Sequence, residues 1–334
     1  MIQVTTATLQ FDHWQQTLAR SITDPAELLE RLQLPDSLLP AARKASELFG
    51  LKVPHTYLDR IRPADPADPL LRQVLPLGAE LEKTAGYSHD PVGDHAASLQ
   101  PGLLQKYPGR ALLLATGACG IHCRYCFRRH FDYVASNPAK QDWQPVIASL
   151  AGDSSIHEVI LSGGDPLSLT DTKLLRLIDM LEGIKHIKRL RIHTRLPVVL
   201  PERITSALCD GLASSHLQTV VVLHINHANE IDAAVADVCQ KLQHTGSWLL
   251  NQSVLLAGVN DSVAALTELS ERLGDCDIHP YYLHQLDRVL GAAHFAVPDE
   301  VARQLVAKLR DSLPGYLVPK LVREHAGEFS KTPL

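Results

Sequence analysis

Residues 111–126 read ALLLATGACGIHCRYC, in which a short apolar run is followed at once by three closely spaced cysteines. Cys119, Cys123 and Cys126 have the spacing C-x3-C-x2-C. Three thiolates at this spacing can bind three corners of one iron–sulfur cube, whereas electron-transfer clusters usually have four cysteine ligands. The fourth iron would then have no protein ligand. The spacing therefore predicts a metal site at which a small molecule binds and is changed.

The composition is typical of a large globular protein. The chain has 334 residues, 45% of them hydrophobic, so it can bury a core of barrel size. Its net charge of -5 gives no basic surface for phosphates, which argues against nucleic acid as a direct ligand. The N-terminus has no basic segment before an apolar one, and no run of about 18 apolar residues occurs. We therefore expect a cytoplasmic protein with no membrane partner.

The first hundred residues have the pattern of helices and turns. A helix is predicted from Pro25 to Leu32, behind an Asp24 cap. Residues 61–76 are rich in Pro and Asp and cannot form one regular helix. We therefore divide the chain into residues 1–100, a helical extension with a wrapping linker, and residues 101–334, the main domain.

The main domain contains a repeat of about 30 residues, the length of one strand–helix unit. Amphipathic helical stretches such as Asp171 to Glu182 and Asn229 to Gln243 separate short apolar runs that favour strands. The six runs are Ala111 to Thr116, His157 to Ser162, Arg189 to Thr194, Thr219 to Asn226, Trp248 to Leu256 and Asp277 to Leu283. This order predicts an α/β fold, a partial (β/α)6 barrel of parallel strands.

Polar clusters follow most of these strands directly, and one lies within the fifth. They are the cysteine loop, Gly163-Gly164-Asp165, His193-Thr194-Arg195, the segment His224 to His227, Asn251-Gln252 and Asp287. Active sites of parallel barrels are built at the carboxyl ends of the strands. The clusters are therefore expected to meet in one site.

A structural zinc ion is the alternative that the cysteine spacing leaves open. His122 or His130 would complete a Cys3His ligand set. The placement argues against it, because a structural zinc usually stabilises a small or loop-rich unit, and this loop opens from a large core. A non-catalytic alternative makes the protein an iron–sulfur or zinc module that recognises a protein partner.

The cysteine loop, with the aromatic Tyr125 just before its last cysteine, resembles the signature of the radical S-adenosylmethionine (SAM) superfamily. That resemblance implies a 4Fe–4S cluster bound by the three cysteines and SAM on the open iron. Gly163, Gly164 and Asp165 are similar to the glycine-rich stretch of the superfamily, where backbone approaches the methionyl group of SAM. The resemblance therefore assigns Tyr125 and this stretch to cofactor binding.

Within the superfamily, residues 70–334 resemble the lysine 2,3-aminomutase group. The segments that carry the resemblance are KYPGRALLL, CRYCFRRHF, SGGDPL, RLPVVLPERIT, HINHANEI, NQSVLLAGVND, PYYLHQLD, GAAHF and GYLVP. The short chain, the segments DPAELLERL and VPHTYLDRI, CFRRHFDY and the ending GEFSKTPL are similar to one branch. That branch makes (R)-β-lysine for attachment to translation elongation factor P by a β-lysine ligase.

The resemblance also implies pyridoxal 5'-phosphate (PLP) as a cofactor. The family's Schiff-base lysine maps onto Lys331, which by position alone would be an exposed tail lysine. Arg110 matches a phosphate-binding arginine of the family, and Lys106 stands where catabolic members have another arginine. An electron sink of this kind is needed for an amino group to pass between neighbouring carbons.

Three further residues are assigned to the substrate by the same resemblance. Arg128 matches the arginine that binds the α-carboxylate, and Asp287 matches an aspartate that binds the distal ammonium. By residue type alone, Arg128 could be a surface charge and Asp287 an ordinary loop residue. Glu324 departs from the family, since catabolic members have aspartate there. Two carboxylates favour a cationic substrate end, hence L-lysine.

The implied reaction converts L-α-lysine to (R)-β-lysine. A 5′-deoxyadenosyl radical removes hydrogen from C3, the amino group moves from C2 to C3, and the hydrogen returns. An unidentified electron donor would reduce the cluster. The alternative within the superfamily is an aminomutase of another amino acid. The sequence does not predict the oligomeric state.

Overall fold

The structure, a computed structural model, describes residues 13–133, 136 and 142–334. Residues 1–12, which include most of the N-terminus considered above for a leader segment, lie outside the described residues. The part before the sheet forms α1 (His13–Ala19), α2 (Pro25–Arg31), α3 (Leu39–Leu48), α4 (His55–Leu58) and α5 (Pro69–Arg72). The Asp24 side chain caps α2, as predicted, by accepting a hydrogen bond from the Ala26 N–H at 2.9 Å.

One twisted sheet organises the rest of the chain, with its strands in sequence order. The strands are β1 (Ser98–Gln100), β2 (Leu103–Leu104), β3 (Arg110–Thr116), β4 (Glu158–Gly163), β5 (Arg189–Thr194), β6 (Gln218–Leu223), β7 (Trp248–Leu255), β8 (His279–Gln285), β9 (Lys320–Arg323) and β10 (Thr332–Pro333). Strands β3 to β9 pair in parallel, and the flanking pairs are antiparallel. In the described part of the chain β1 and β10 are the edges, so the barrel stays open.

Helices alternate with the parallel strands. They are α6 (Gln144–Gly152), α7 (Asp171–Glu182), α8 (Leu196–Val199), α9 (Ser206–Ser214), α10 (Ala233–His244), α11 (Val263–Asp275) and α12 (Asp299–Ser312). Side chains of Thr170, Asp232 and Ser262 cap α7, α10 and α11 at their N-termini. None of the helices within the described ranges combines the length and apolar character needed to span a bilayer.

The helices bury one apolar face against the sheet. In α7 the buried positions Leu174, Leu177, Ile178 and Leu181 follow the helical spacing of three and four residues. One hydrophobic cluster joins these side chains to those of the N-terminal helices, such as Leu28 and Tyr57. The extension therefore packs on the same core as the barrel, and the division at residue 100 stays a prediction.

The predicted partial (β/α)6 barrel is confirmed, with one addition. Strand β9 is a seventh parallel strand, which pairs with β8 after α12 and is not among the six strands predicted from the sequence. Strand β9 has four residues and then leads to Glu324 and Lys331. The addition brings the C-terminal residues to the edge of the barrel.

Candidate active site

A cavity of about 310 Å3 is lined by residues at the carboxyl ends of the parallel strands and by residues further back along them, such as Arg110 at the start of β3. All the site residues chosen from the sequence line this one cavity: Arg110, Cys119, Cys123, Tyr125, Cys126, Arg128, Gly163, Gly164, Asp165, Asp287, Glu324 and Lys331. Cys119 and Lys331 are 212 positions apart in the chain (331 minus 119), yet both face the same space. The roles assigned to these residues stay predictions, but their convergence is a feature of the fold.

The cysteine loop is held by residues of the N-terminal extension. Lys52 Nζ donates to the Cys119 carbonyl at 2.9 Å, and the Arg124 N–H donates to the Gln73 carbonyl at 2.9 Å. The Arg124 guanidinium is fully buried in an ion pair with Glu80, 2.7 Å from Nη2 to Oε2. The extension thus fixes the shape of the loop.

The three thiols fit a cationic metal centre. Burial raises the pKa of the Cys119 thiol well above its usual value, and the negative charges of Cys126 and Asp165 raise it further. Burial, followed by the neighbouring Cys123, raises the pKa of Cys126 to about 11. Thiols that oppose each other's ionisation can be charged together when a cation lies among them.

The histidines of the zinc alternative have other partners. His122 Nδ1 lies 2.8 Å from the Gly50 carbonyl oxygen, and its ring stacks on Phe49. His130 Nε2 lies 3.1 Å from the Leu290 carbonyl oxygen. Within residues 13–133, 136 and 142–334, no three His, Cys, Asp or Glu side chains form a site for one metal ion. A cubane places a different iron on each thiolate, so it does not require that arrangement.

The glycines after β4 are required by the close approach of two backbones. A Cβ atom on Gly164 would lie 2.3 Å from the Ala118 carbonyl oxygen, and one on Gly163 would lie 2.3 Å from the Thr116 oxygen. Gly163 also has a φ of +124°, which favours glycine. The end of β4 therefore packs directly on the start of the cysteine loop.

The Asp165 carboxylate organises the same edge. It accepts hydrogen bonds from the N–H of Arg195 at 2.7 Å, the N–H of Leu196 at 3.0 Å and the Thr194 hydroxyl at 2.8 Å. Its carboxylate therefore ties the end of β4 to the end of β5. The cofactor role expected for Asp165 would have to use its backbone or act through these neighbours.

Unpaired polar atoms around Arg110 fit an anionic group. The guanidinium lies over the Tyr107 ring, 4.9 Å from its centroid. Among the described residues, Arg110 Nε and the hydroxyl of the neighbouring Tyr107 are buried without a hydrogen-bond partner. A phosphate would supply the acceptors that these donors lack. The cavity therefore meets the chemical requirement of a phosphate-bearing cofactor.

A chain of ion pairs runs along the cavity from Arg128 to Lys331. Arg128 Nε lies 2.6 Å from Asp94 Oδ2, and Lys106 Nζ lies 2.6 Å from Asp94 Oδ1. Lys106 Nζ is also 2.7 Å from Glu324 Oε1, and Lys331 Nζ donates to the other Glu324 oxygen. Burial alone would raise the pKa of Glu324, but Lys331 and Lys106 lower it to about 2.

Asp287 differs from Glu324 because, among the described residues, Lys331 and Lys106 are near enough to lower its pKa but form no ion pair with it. Burial, followed by the negative charge of Glu324, raises the pKa of Asp287 from 3.8 to about 7. A buried carboxyl in this state gains most from a ligand that brings a positive charge. The arrangement is suited to an ammonium group.

Three residues of the site are not among those predicted from the sequence. Asp94 and Gln73 both lie in the wrapping linker. No sequence pattern marks Asp94, and Gln73 belongs to the segment rich in Pro and Asp that cannot form one regular helix. Glu230 lies in HINHANEI, a segment that carries the family resemblance, so a signal existed. The structure buries all three, and each binds a charged or polar side chain of the site.

Several known proteins are similar in sequence to this chain. Residues 107–194 match the family model described as a 4Fe-4S single cluster domain. L-lysine 2,3-aminomutase of Escherichia coli is 50% identical over 99% of this chain and 97% of its own length. The enzyme of that name from Haemophilus influenzae is 48% identical over 96% and 95%, and that from Clostridium subterminale is 35% identical over 97% and 78%.

A radical SAM methyltransferase from Sphaerobacter thermophilus is similar with a TM-score of 0.45 and 20% identity, covering 66% of this chain and 68% of its own.

Proposed function

Because the chain belongs to the lysine 2,3-aminomutase family, we propose that it moves the α-amino group of L-lysine from C2 to C3, giving (R)-β-lysine. The observation that carries the proposal is the single cavity lined by both the cysteine loop and Lys331. Radical formation and amino transfer need two different prosthetic groups acting on one substrate. A cavity that presents a residue for each meets this need.

When bound, the 4Fe–4S cluster with SAM supplies a 5′-deoxyadenosyl radical, and PLP supplies an electron sink for the migrating amino group. Cys119, Cys123 and Cys126 hold the cluster in this proposal. Lys331 binds PLP covalently, and Arg110 binds its phosphate with the donors that have no partner in the described chain. Gly163 and Gly164 let the backbone of β4 lie close to the cysteine loop, where SAM binds.

Substrate selection rests on the charges of the cavity. Arg128 presents a guanidinium for the α-carboxylate while its Nε atom stays on Asp94. Asp287 accepts the distal ammonium, which restores the charge that burial suppresses. Glu324 is already paired with two lysines, so we assign it to holding Lys106 and Lys331 beside the ammonium site. An acidic side chain in place of the ammonium would meet like charges.

Anaerobic reconstitution with iron, sulfide, SAM and PLP, followed by chiral analysis of the products from L-lysine, tests the proposal. We expect (R)-β-lysine as the main product. Asp287→Asn is the matched variant, because it keeps the shape of the side chain and removes the charge. It should lower kcat/KM for lysine roughly a hundredfold, which is a loss of about 3 kcal/mol in transition-state stabilisation. Turnover of a different amino acid in preference to lysine would contradict the assignment of substrate.

We also propose that the product is destined for translation elongation factor P. Support comes from segments such as GEFSKTPL that are similar to the branch that serves this factor. A coupled assay with the β-lysine ligase and elongation factor P, monitored by the mass of the factor, checks the link. The mass should rise only when lysine, SAM and this enzyme are all present.

A further inference from the structure

The guanidinium of Arg195 contacts a sulfur atom of the cysteine loop. Arg195 follows β5 directly, and its Nη1 atom lies 2.7 Å from Cys123 Sγ. The residue is 6% exposed, so water does not screen this contact. In the sequence, Arg195 belongs to a polar cluster after a strand, and no motif gives it a role.

The other hydrogen bonds of the guanidinium prevent it from turning away. Nη1 also donates to the Tyr125 hydroxyl at 2.8 Å, and Nη2 donates to Gln73 Oε1 at 2.6 Å and to Glu230 Oε2 at 2.8 Å. The planar fork is therefore fixed on two sides. Gln73 comes from the N-terminal extension and Glu230 from the segment after β6, so distant parts of the chain orient one group.

Glu230 is itself held in place as an anion. Its side chain is fully buried, and Oε1 accepts from the N–H of Asn226 at 2.9 Å and from Gln73 Nε2 at 3.1 Å. Burial alone would raise the pKa of Glu230, but Arg195 and these hydrogen bonds lower it below its usual value. The Arg195 cation is thus fixed against the Cys123 sulfur, and the Glu230 anion is fixed on the far side of Arg195.

We propose that Arg195 is a positioning residue that raises the reduction potential of the iron–sulfur cluster, and that Glu230 and Gln73 aim it at Cys123. The inference depends on the proposed role of Cys123 as a cluster ligand. In the redox step the oxidised cluster takes one electron from a low-potential one-electron donor, and no bond or proton changes. The reduced cluster carries one more negative charge. The Arg195 guanidinium stabilises that charge, because it donates an N–H to the Cys123 sulfur and is itself positively charged.

Potentiometric titration followed by electron paramagnetic resonance, without PLP or lysine, measures the effect directly. At a fixed potential, Arg195→Met should lower the ratio of reduced to oxidised cluster at least about tenfold, which for one electron is about 59 mV. Arg195→Lys keeps the charge but loses the fork, so a smaller decrease is expected. Glu230→Gln keeps a side-chain oxygen that can accept the Arg195 hydrogen bond and removes a negative charge near the cluster, so Arg195 should stay aimed at Cys123 and the ratio should rise.

The ratio is expected to fall in Arg195→Met and to rise in Glu230→Gln. Loosened packing would change the ratio in the same direction in both variants, so the opposite directions identify an electrostatic effect. Arg203→Met is the matched control: it removes another fully buried guanidinium, one that pairs with Asp171 and stacks on Trp14, and should leave the ratio unchanged. Equal ratios in Arg195→Met and the unmodified protein, or a decrease in Glu230→Gln, overturn the inference. If Arg195→Met does not retain iron, the inference is tested by Glu230→Gln alone, in which the ratio of reduced to oxidised cluster must rise.

The failure of this inference can be told from failure of the proposed function. If the unmodified protein binds no cluster after reconstitution, the role of the cysteines is wrong and the titration has no signal. If the cluster is present and lysine is turned over, but neither variant shifts the ratio, the enzyme assignment stands and the role of Arg195 is wrong.

Discussion

Lys331 and Glu324 form an ion pair inside the cavity, seven residues apart at the C-terminus of the chain. Glu324 also binds Lys106 Nζ at 2.7 Å, so one carboxylate is shared by two lysines. Strand β10 pairs with β9 just beyond Lys331 and fixes the tail on the sheet. These contacts explain how a residue so near the end of the chain can belong to an active site.

Glu324→Gln should destabilise the protein. The variant keeps the shape of the side chain but removes the charge from two largely buried ion pairs. We expect a loss of about 2 kcal/mol in the free energy of unfolding, measured with chemical denaturant in the absence of PLP. Glu328→Gln changes an exposed residue of the same tail and is the control, expected to stay within about 0.5 kcal/mol of the unmodified protein. Equal effects of the two variants would show that the ion pairs contribute nothing.

Lys331→Met should abolish covalent binding of PLP. The reconstituted variant is expected to lose the visible absorbance of the protein–PLP adduct after desalting, because the methionine side chain has no amine. Lys320→Met, at an exposed position on β9, should retain the absorbance. A Lys331→Met protein that keeps both absorbance and turnover would mean that Lys331 is an ordinary tail residue.

The stability of the ligand-free protein should depend on Asp287 between about pH 4 and pH 7. The folded pKa is about 7 and the ordinary value is 3.8, so the native state binds the extra proton in this range. The contribution of Asp287 to the free energy of unfolding is therefore fully present below about pH 4 and is lost as the pH rises through 7. The loss is at most about 4 kcal/mol by linkage.

Asp287→Asn isolates this contribution. The variant should be more stable than the unmodified protein at pH 8, and the difference should shrink to nothing near pH 4, as measured by denaturant unfolding at each pH. A difference that does not change with pH would mean that Asp287 titrates normally.

Gly164→Ala should displace the cysteine loop and lower the iron bound per chain. The added Cβ would lie 2.3 Å from the Ala118 carbonyl oxygen, so one of the two backbones must shift, at a cost of about 1–3 kcal/mol. Gly152→Ala is the control, because nothing lies within 4 Å of a Cβ at that position. Iron content after reconstitution should fall in the first variant and be unchanged in the second. Full iron content in Gly164→Ala would mean that the loop tolerates the shift.

The elements that sequence could predict are those with a local signal. The apolar runs and amphipathic stretches gave the strands and α7 because their periodicity is contained within a dozen residues. The cysteine spacing and the segments around Arg110, Asp287 and Lys331 carried the family resemblance. These residues therefore could be chosen before any geometry was known.

The rest of the site depends on contacts between distant segments. Asp94 and Arg128 are 34 residues apart, Glu230 and Arg195 are 35 apart, and Gln73 and Arg195 are 122 apart. No spacing rule links such pairs, since tertiary packing brings them together. The four residues of β9 are likewise too few to show a periodic pattern.

Transfer of deuterium from C3 of L-lysine to SAM tests the central claim most directly. The reconstituted enzyme is incubated anaerobically with lysine deuterated at C3, and recovered SAM is analysed by mass spectrometry for label at the 5′ carbon. If the cysteine loop and Lys331 serve one substrate in one cavity, the label should appear in SAM and in β-lysine. Formation of β-lysine with no label in SAM would contradict the account.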